Sequence, residues 1–439
     1  MLSNFGQPYN PHGKTIYISY LSIMTEIKKL NISRSLKLFD DGKELIPGGV
    51  LGIRRPYNFV EGEYPIFVES GKGGRIIDVD GNEYIDFLCA YGPIILGYRE
   101  EEIDEAVIRQ IRDKGFCFSI TQRYQNQLAE KLKELIPCSE MSIFVKTGSD
   151  ATAVAIRLAR AYTKRGKIMR CGYHGWHDWC VEVKGGIPEK FWEDVFEFGY
   201  NRLDHLEELL KEHGDDTAAI IMTPFGHPNH QEMQIPEPGF LEGVKELAHK
   251  HGAILIYDEI RTGFRVSMGG AQKYYEVTPD ISVLGKAIAN GYPISVVTGK
   301  KEIMMAAESR LFISSTFFPN SDAFIAALKT IEILERDKVL EDIWEKGDMF
   351  MKQIQEVLDK YDVGAKLTGI PPMFYITFNK DDTGAYKGKR KDFYTQLIRK
   401  GFFFTPFHHA YISYRHTKED LALTLTAIEE SFAYLKEKY

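Results

Sequence analysis

From Met141 to Leu284 one pattern recurs: a short apolar run, a polar or turn break, then a stretch with helical spacing. The runs are MSIFVKT (Met141 to Thr147), KIMRC (Lys167 to Cys171), AAIIMTPF (Ala218 to Phe225), AILIY (Ala253 to Tyr257) and ISVL (Ile281 to Leu284). Each has the length of a buried strand. Helical patterns cover Ala151 to Thr163 and Gly239 to His251. Strands alternating with helices predict an α/β fold, with a mostly parallel central sheet and helices on both faces. Such a sheet presents its chemistry beyond the carboxyl ends of its strands.

Two of those ends carry complementary groups. AILIY runs into Asp258-Glu259, and ISVL into Gly285-Lys286. Singly, a strand-end Asp is commonly a turn or helix N-cap, and a lone Lys is commonly a solvated surface residue. Lys286, however, stands between an apolar run and the small-residue stretch Ala287-Ile288-Ala289-Asn290-Gly291, surroundings that a surface lysine does not require. The Ser-x-x-Lys pattern of acyl transfer fails, because Ser282 lies one residue too far away. The pair suits pyridoxal phosphate. Its aldehyde needs a lysine amine for a Schiff base, and its ring nitrogen needs a carboxylate to stay protonated as an electron sink.

Further pieces lie at other strand ends. Gly148-Ser149-Asp150 opens a helix, where free N–H groups and a hydroxyl form an anion site suited to a phosphate. Ordinary helix capping explains the same residues. The stretch Tyr173-His174-Gly175-Trp176-His177-Asp178-Trp179 offers an aromatic ring that can stack on a planar cofactor. It also offers metal ligands in His174, His177 and Asp178, with His227 and His230 nearby, but without a spacing such as H-E-x-x-H, so no metal is expected. Arg54-Arg55 is either a solvated corner or a carboxylate clamp.

Composition bounds the rest. The 439 residues suffice for two domains with a sizeable core. With 44% apolar and 27% charged residues, neither disorder nor a membrane class is indicated. A net charge of −7, with no basic patch interleaved with aromatics, argues against nucleic acid or an anionic membrane as partner. Five scattered cysteines without C-x-x-C favour reduced thiols in a cytoplasmic enzyme. No signal-peptide pattern opens the chain, and IYISYLSIM (Ile16 to Met24) is about half the length of a transmembrane helix.

The expected organisation is a leader over 1–33, a large cofactor-binding domain over 91–320, and a smaller α+β domain assembled from 34–90 and 321–439. In the smaller domain we expect a helix from Ser33 to Leu45, stopped by Ile46-Pro47-Gly48-Gly49, and a hairpin around Asp80-Gly81. Two long helices follow Asn320, then strands Met373 to Phe378 and Phe402 to Thr405 and a last helix from Lys418 to Lys438. Thr377 to Lys391 reads as a charged surface loop.

These segments together resemble the class III (fold type I) pyridoxal-phosphate aminotransferases, and within them the glutamate-1-semialdehyde 2,1-aminomutase branch. The resemblance runs from about Arg34 to the C-terminus. It rests on IPGGV, DVDGNEYIDF, YGPIILG, TGSDATAVAIRLARAYT, YHG, STFFPN and, most specifically, DEIRTGFRVSMGGAQKYYEVTPDISVLGK. It implies that Lys286 carries the cofactor, Asp258 partners the pyridine nitrogen, Tyr173 stacks on the ring, and Gly148 and Ser149 bind the phosphate. Thr316 matches a threonine that reaches the phosphate of the neighbouring subunit's cofactor, implying a homodimer. Arg55 matches a substrate-carboxylate arginine, and Tyr91 an aromatic of the substrate pocket. The chain departs from the pattern at Asp150 (usually Glu), at Thr223-Pro224 (usually Glu-Pro) and at Arg261, where relatives have Met or Gln. It departs again at His408, where the semialdehyde branch has Glu. A heavier, aromatic segment, VKGGIPEKFWEDVFEFGYN, replaces the Gly/Ser-rich gating loop.

The resemblance implies an aminotransferase working on amino acids or amino carbonyl compounds and a keto or aldehyde acceptor, with Arg55, Tyr91, Arg261 and His408 at the substrate. Lys286 would move the proton as general acid and base. An intramolecular aminomutase, or a racemase, would be an isomerase using the same lysine and ring partner. A non-enzymatic protein on the same scaffold is the alternative from another class.

Overall fold

The computed structural model describes residues 27–228 and 232–439. Most of the leader expected over 1–33 lies outside the described residues. The central sheet has seven strands, in the order Met141–Val145, Ser295–Gly299, Ile281–Leu284, Ile254–Asp258, Thr217–Met222, Lys167–Cys171 and Val195–Glu197. All run parallel except Ser295–Gly299, which is antiparallel to both neighbours. That strand was not anticipated. It returns only ten residues after Leu284, too few for a crossover helix, so it can pair only in the antiparallel sense.

The inner strands are buried at every position, which is why they read as continuous apolar runs. Their side chains alternate between two cores. Ile254 and Ile256 face the core shared with helix Gly148–Thr163, while Leu255 and Tyr257 face the one built on helices Leu203–His213 and Phe240–Lys250. The sheet is thus covered on both sides, as an α/β fold of type I requires.

The two ends of the described chain meet in smaller sheets. Val68–Lys72, Arg75–Asp78 and Glu83–Asp86 form antiparallel pairs, and Phe402–Phe403 joins Glu83–Asp86 in parallel. The Asp80-Gly81 hairpin forms with Ile76 opposite Tyr84. Ala365–Ile370, Met373–Phe378 and Ala410–Tyr411 make a second small sheet. Helices Val339–Tyr361, Ala385–Arg399 and Lys418–Lys438 pack over these sheets and each other.

One expectation is corrected. The stretch Thr377 to Lys391 is not a loop throughout: Met373–Phe378 is strand, and a helix starts at Ala385. The Asp381 carboxylate accepts from the backbone N–H of Ala385 (3.0 Å) and Tyr386 (2.8 Å), satisfying two of the orphan donors of that helix. The lysine-rich first turns hid this start because they carry almost no apolar periodicity. Among the described residues no helix is long and apolar enough to cross a membrane.

Candidate active site

Asp258 is the last residue of its strand, and Lys286 follows the neighbouring strand after a single glycine. Because Asp258 stands in register with Val283, the sheet brings the two side chains to one edge. Both line a cavity of about 320 Å³, with Ser149, Tyr173, His174 and Arg261 also in its wall.

Lys286 adopts a left-handed φ of 48° and opens a short 3-10 turn. Burial, together with the positive Arg261, lowers its pKa to about 7 against the opposing pull of Asp258. Near neutrality its amine is therefore partly unprotonated and available as a nucleophile.

Asp258 is held from two sides. Its Oδ2 accepts from His174 Nδ1 at 2.8 Å, and its Oδ1 from the Ile260 amide at 3.2 Å. His174 is 1% exposed and lies nearly parallel to Trp179 at 6.3 Å. The Thr152 hydroxyl donates to its carbonyl oxygen at 2.7 Å, anchoring it on the helix that starts at Gly148. The sequence offered His174 as a metal ligand; its Nδ1 is instead committed to Asp258, 84 residues away. Among the described residues no group of three or more His, Cys, Asp or Glu is arranged to hold a metal ion. His230 lies outside them.

At the helix start the capping and anion-site readings coexist. Thr147 and Asp150 form the capping box, with Thr147 Oγ1 accepting from Asp150 N at 3.2 Å and Asp150 Oδ2 from Thr147 N at 2.9 Å. The amides of Gly148 and Ser149, in the first turn, have no acceptor within the helix, and both residues line the cavity. Ser149 Oγ accepts from the Trp176 amide at 3.2 Å. The loop bearing Tyr173 comes this close only because residue 175 is glycine: φ is 115°, and a Cβ there would lie 2.4 Å from Ser149 Oγ. Tyr173 is 56% exposed and presents its side chain to the cavity.

The remaining candidates are distributed unevenly. Arg261 reaches the cavity, and its Nη2 is buried without a hydrogen-bond partner among the described residues. Thr316 lies elsewhere, exposed on the wall of a second cavity with Cys117 and Phe118. Arg55 is not in the wall of the first cavity; its Nη2 donates to Pro47 O (3.1 Å) and its Nε to Val50 O (3.3 Å). Tyr91 donates through its hydroxyl to Ile53 O at 3.1 Å and meets the His408 ring edge-on at 5.2 Å. His409, which the sequence did not single out, is 1% exposed, and both its ring nitrogens lack a partner among the described residues. Burial, then His408, Arg261 and Lys286, hold its pKa well below the ordinary imidazole value, so it is neutral.

The site therefore offers an amine that deprotonates readily, a fixed carboxylate, an exposed aromatic ring and a helix N-terminus, all in one cavity. That set fits pyridoxal phosphate. Comparison with known proteins agrees. The model of the family "Aminotransferase class-III" matches residues 57–432. The chain is 61% identical over 410 residues to the 3-aminobutyryl-CoA aminotransferase of Cloacimonas acidaminovorans (strain Evry), covering 93% of this chain and 99% of that one. It is 36% identical to glutamate-1-semialdehyde 2,1-aminomutase 2 of Lachnoclostridium phytofermentans, covering 92% and 100%. Among solved structures, the FumI protein of Sphingopyxis sp. MTA144 in its PLP internal aldimine form superposes with a TM-score of 0.87 at 30% identity, covering 92% and 97%. The chain belongs to the class-III aminotransferases, the pyridoxal-phosphate enzymes that its sequence resembles.

Proposed function

We propose that this aminotransferase takes its amino group from a β-aminoacyl thioester of the 3-aminobutyryl type and passes it to a keto acid. The observation that carries the substrate class is the 61% identity, along nearly the whole chain, to a 3-aminobutyryl-CoA aminotransferase. The site is in keeping with it. Such a donor has no free carboxylate, and Arg55 already spends two of its three guanidinium nitrogens on Pro47 and Val50. A thioester carbonyl needs a hydrogen-bond donor, and Arg261 and the neutral His409 have nitrogens to give.

Pyridoxal phosphate supplies an aldehyde for amine exchange and a ring that withdraws electrons from the amine-bearing carbon. Lys286 Nζ is the amine that would hold it covalently. That amine would take the proton from the amine-bearing carbon of the donor and, as general acid, would deliver it to the carbon that was the cofactor's aldehyde. Asp258, oriented by His174, would keep the ring nitrogen protonated. Tyr173 would lie against the ring, and the Gly148 and Ser149 amides would bind the phosphate. Tyr91 and His408 flank the donor, and Arg261 also serves the acceptor carboxylate, with Arg55 contributing at most its remaining Nη1.

Thr316, which lines a different cavity of its own chain, would reach the phosphate of a second subunit, so the working form is a homodimer. We place the enzyme in the cytoplasm. The confinement of the seven-stranded sheet to 141–299 supports the large domain of 91–320, and the shared small sheet supports a second domain built from 34–90 and 321–439. The test is turnover of 3-aminobutyryl-CoA with a panel of keto acids, beside glutamate-1-semialdehyde alone. Loss of the thioester amine only when a keto acid is present supports the reading; isomerisation of the semialdehyde without acceptor would replace it with the aminomutase.

A further inference from the structure

Cys89, Ala90 and Tyr91 hold consecutive φ values of 48°, 53° and 69°. Each is in the left-handed region that residues with a Cβ rarely adopt, and three in succession do not arise from local preference. Something outside the turn must hold it. Gly92 follows at φ 104°, and a Cβ there would lie 2.7 Å from the Tyr411 ring, so that ring rests directly on the turn.

Arg265 is the holder. It is fully buried and, among the described residues, has no carboxylate partner. Its Nη2 donates to Gly92 O at 2.9 Å and its Nη1 to Ile412 O at 3.0 Å, with the guanidinium 4.7 Å from the centre of the Tyr411 ring. The Tyr411 hydroxyl in turn donates to Tyr91 O at 3.3 Å. Beyond the turn, Asn290 fastens the chain again: its Oδ1 accepts from Ile95 N (3.0 Å) and Leu96 N (2.9 Å), and its Nδ2 donates to Gly97 O (3.0 Å). Arg265 follows Asp258 and Asn290 follows Lys286, so both anchors issue from the two strand ends of the active site. Between them Pro93 forms part of the cavity wall.

We propose that Arg265 is a positioning residue for the amine donor: it enforces the left-handed turn Cys89–Tyr91, which sets Pro93 and Tyr91 where the donor's acyl chain packs. A planar fork is needed because two carbonyls from separate segments must be served at once. The face of Tyr411 offsets part of the cost of burying the charge. The inference rests on the amino-transfer reading above.

The experiment compares the holoenzyme with R265K, A90G and the double variant. A lysine has one charged nitrogen and cannot span both carbonyls, so R265K should raise KM for the amine donor about tenfold, the loss of one charge-assisted bond. Turnover at saturation and the absorbance of bound cofactor should stay near wild type. Glycine adopts the geometry of residue 90 without strain, so A90G in the R265K background should return KM most of the way. Tyr411→Phe, which removes only the hydroxyl bond to Tyr91 O, should raise KM by a smaller factor and keeps the test open if R265K does not fold. An unchanged KM in R265K, or an increase that A90G does not relieve and that follows a fall in Tm, overturns the proposal. A wild type inactive toward every donor refutes the amino-transfer reading, whereas an active wild type matched by R265K and Tyr411→Phe refutes only this one.

Discussion

Replacing His174 by phenylalanine isolates the bond that orients Asp258. The two residues are 1% and 5% exposed, and the bond between His174 Nδ1 and Asp258 Oδ2 is 2.8 Å. Phenylalanine keeps a flat ring beside Trp179, and the anchor from Thr152 goes to the backbone of residue 174, so packing is largely preserved. The substitution leaves Asp258 Oδ2 without its donor and only the 3.2 Å bond from Ile260 N on the other oxygen. Deleting the partner of a buried charged acceptor costs about 1.5–3 kcal/mol. If the whole loss falls on the transition state, kcat drops roughly 10- to 150-fold. We expect a fall in that range, with donor KM changed less than about threefold, because His174 meets the donor only through Asp258 and the cofactor. His174→Asn keeps an amide N–H near the position of Nδ1 and should recover most of the rate. The assay is the single-turnover half-reaction, followed by cofactor absorbance, for all three enzymes at equal cofactor saturation. Rates within about twofold of wild type for the phenylalanine variant refute the reasoning. Equal impairment of both variants also refutes it, by assigning the loss to packing.

Three further outcomes follow from the same geometry. Lys286 has a folded-state pKa of about 7, below that of an unfolded lysine, so the unfolded chain binds more protons between these values and stability must rise with pH across that window. Cofactor-free wild type should therefore gain about 2–3 kcal/mol on Lys286→Met between pH 7 and pH 9, read from urea midpoints, and parallel curves would contradict the burial argument. If Thr316 serves the partner subunit, Thr316→Ala weakens cofactor binding in the homodimer. A heterodimer of T316A and K286A chains keeps one site of wild-type affinity, because its intact Lys286 meets the intact Thr316 of the other chain; two weakened sites would place Thr316 in its own chain's site. Arg55→Ala should raise KM for a keto acid by no more than about fivefold, since two guanidinium nitrogens already serve loop carbonyls. A rise of a hundredfold or more would restore the full carboxylate clamp, for which a buried pair is worth about 2–5 kcal/mol.

What the sequence disclosed depends on the range of each contact. That Lys286, Asp258, Tyr173 and Ser149 share one cavity was legible because each follows a strand-length apolar run, and a parallel sheet sends all such ends to one edge. The partner of His174 was not. It lies 84 residues away, and nothing local separates a histidine aimed at a carboxylate from one aimed at a metal. His409, the neighbour of His408, went unremarked for a related reason. They immediately precede the short strand Ala410–Tyr411, and which of two adjacent side chains turns inward depends on strand register, here Ala410 opposite Phe374 and Tyr411 opposite Met373. The helix at Ala385 was hidden because its start is signalled by Asp381, four residues outside it, rather than by periodicity within.

Arg265 is the instructive case, since its neighbourhood held a signal that composition obscures. In GFRVSMGG the arginine stands between phenylalanine and valine, with no acidic residue within four positions on either side. A surface arginine is normally bordered by polar residues, and a buried one is normally paired with a carboxylate. When neither holds, the remaining partners for five N–H donors are backbone carbonyls and aromatic faces, and Gly92, Ile412 and Tyr411 supply both. Carbonyls left free for such a donor occur where the chain has quit regular structure. An unpaired arginine in an apolar, glycine-rich stretch thus points to an irregular segment held against its own preference, and in this chain that segment is the turn Cys89–Tyr91, which leads into Pro93 of the cavity wall.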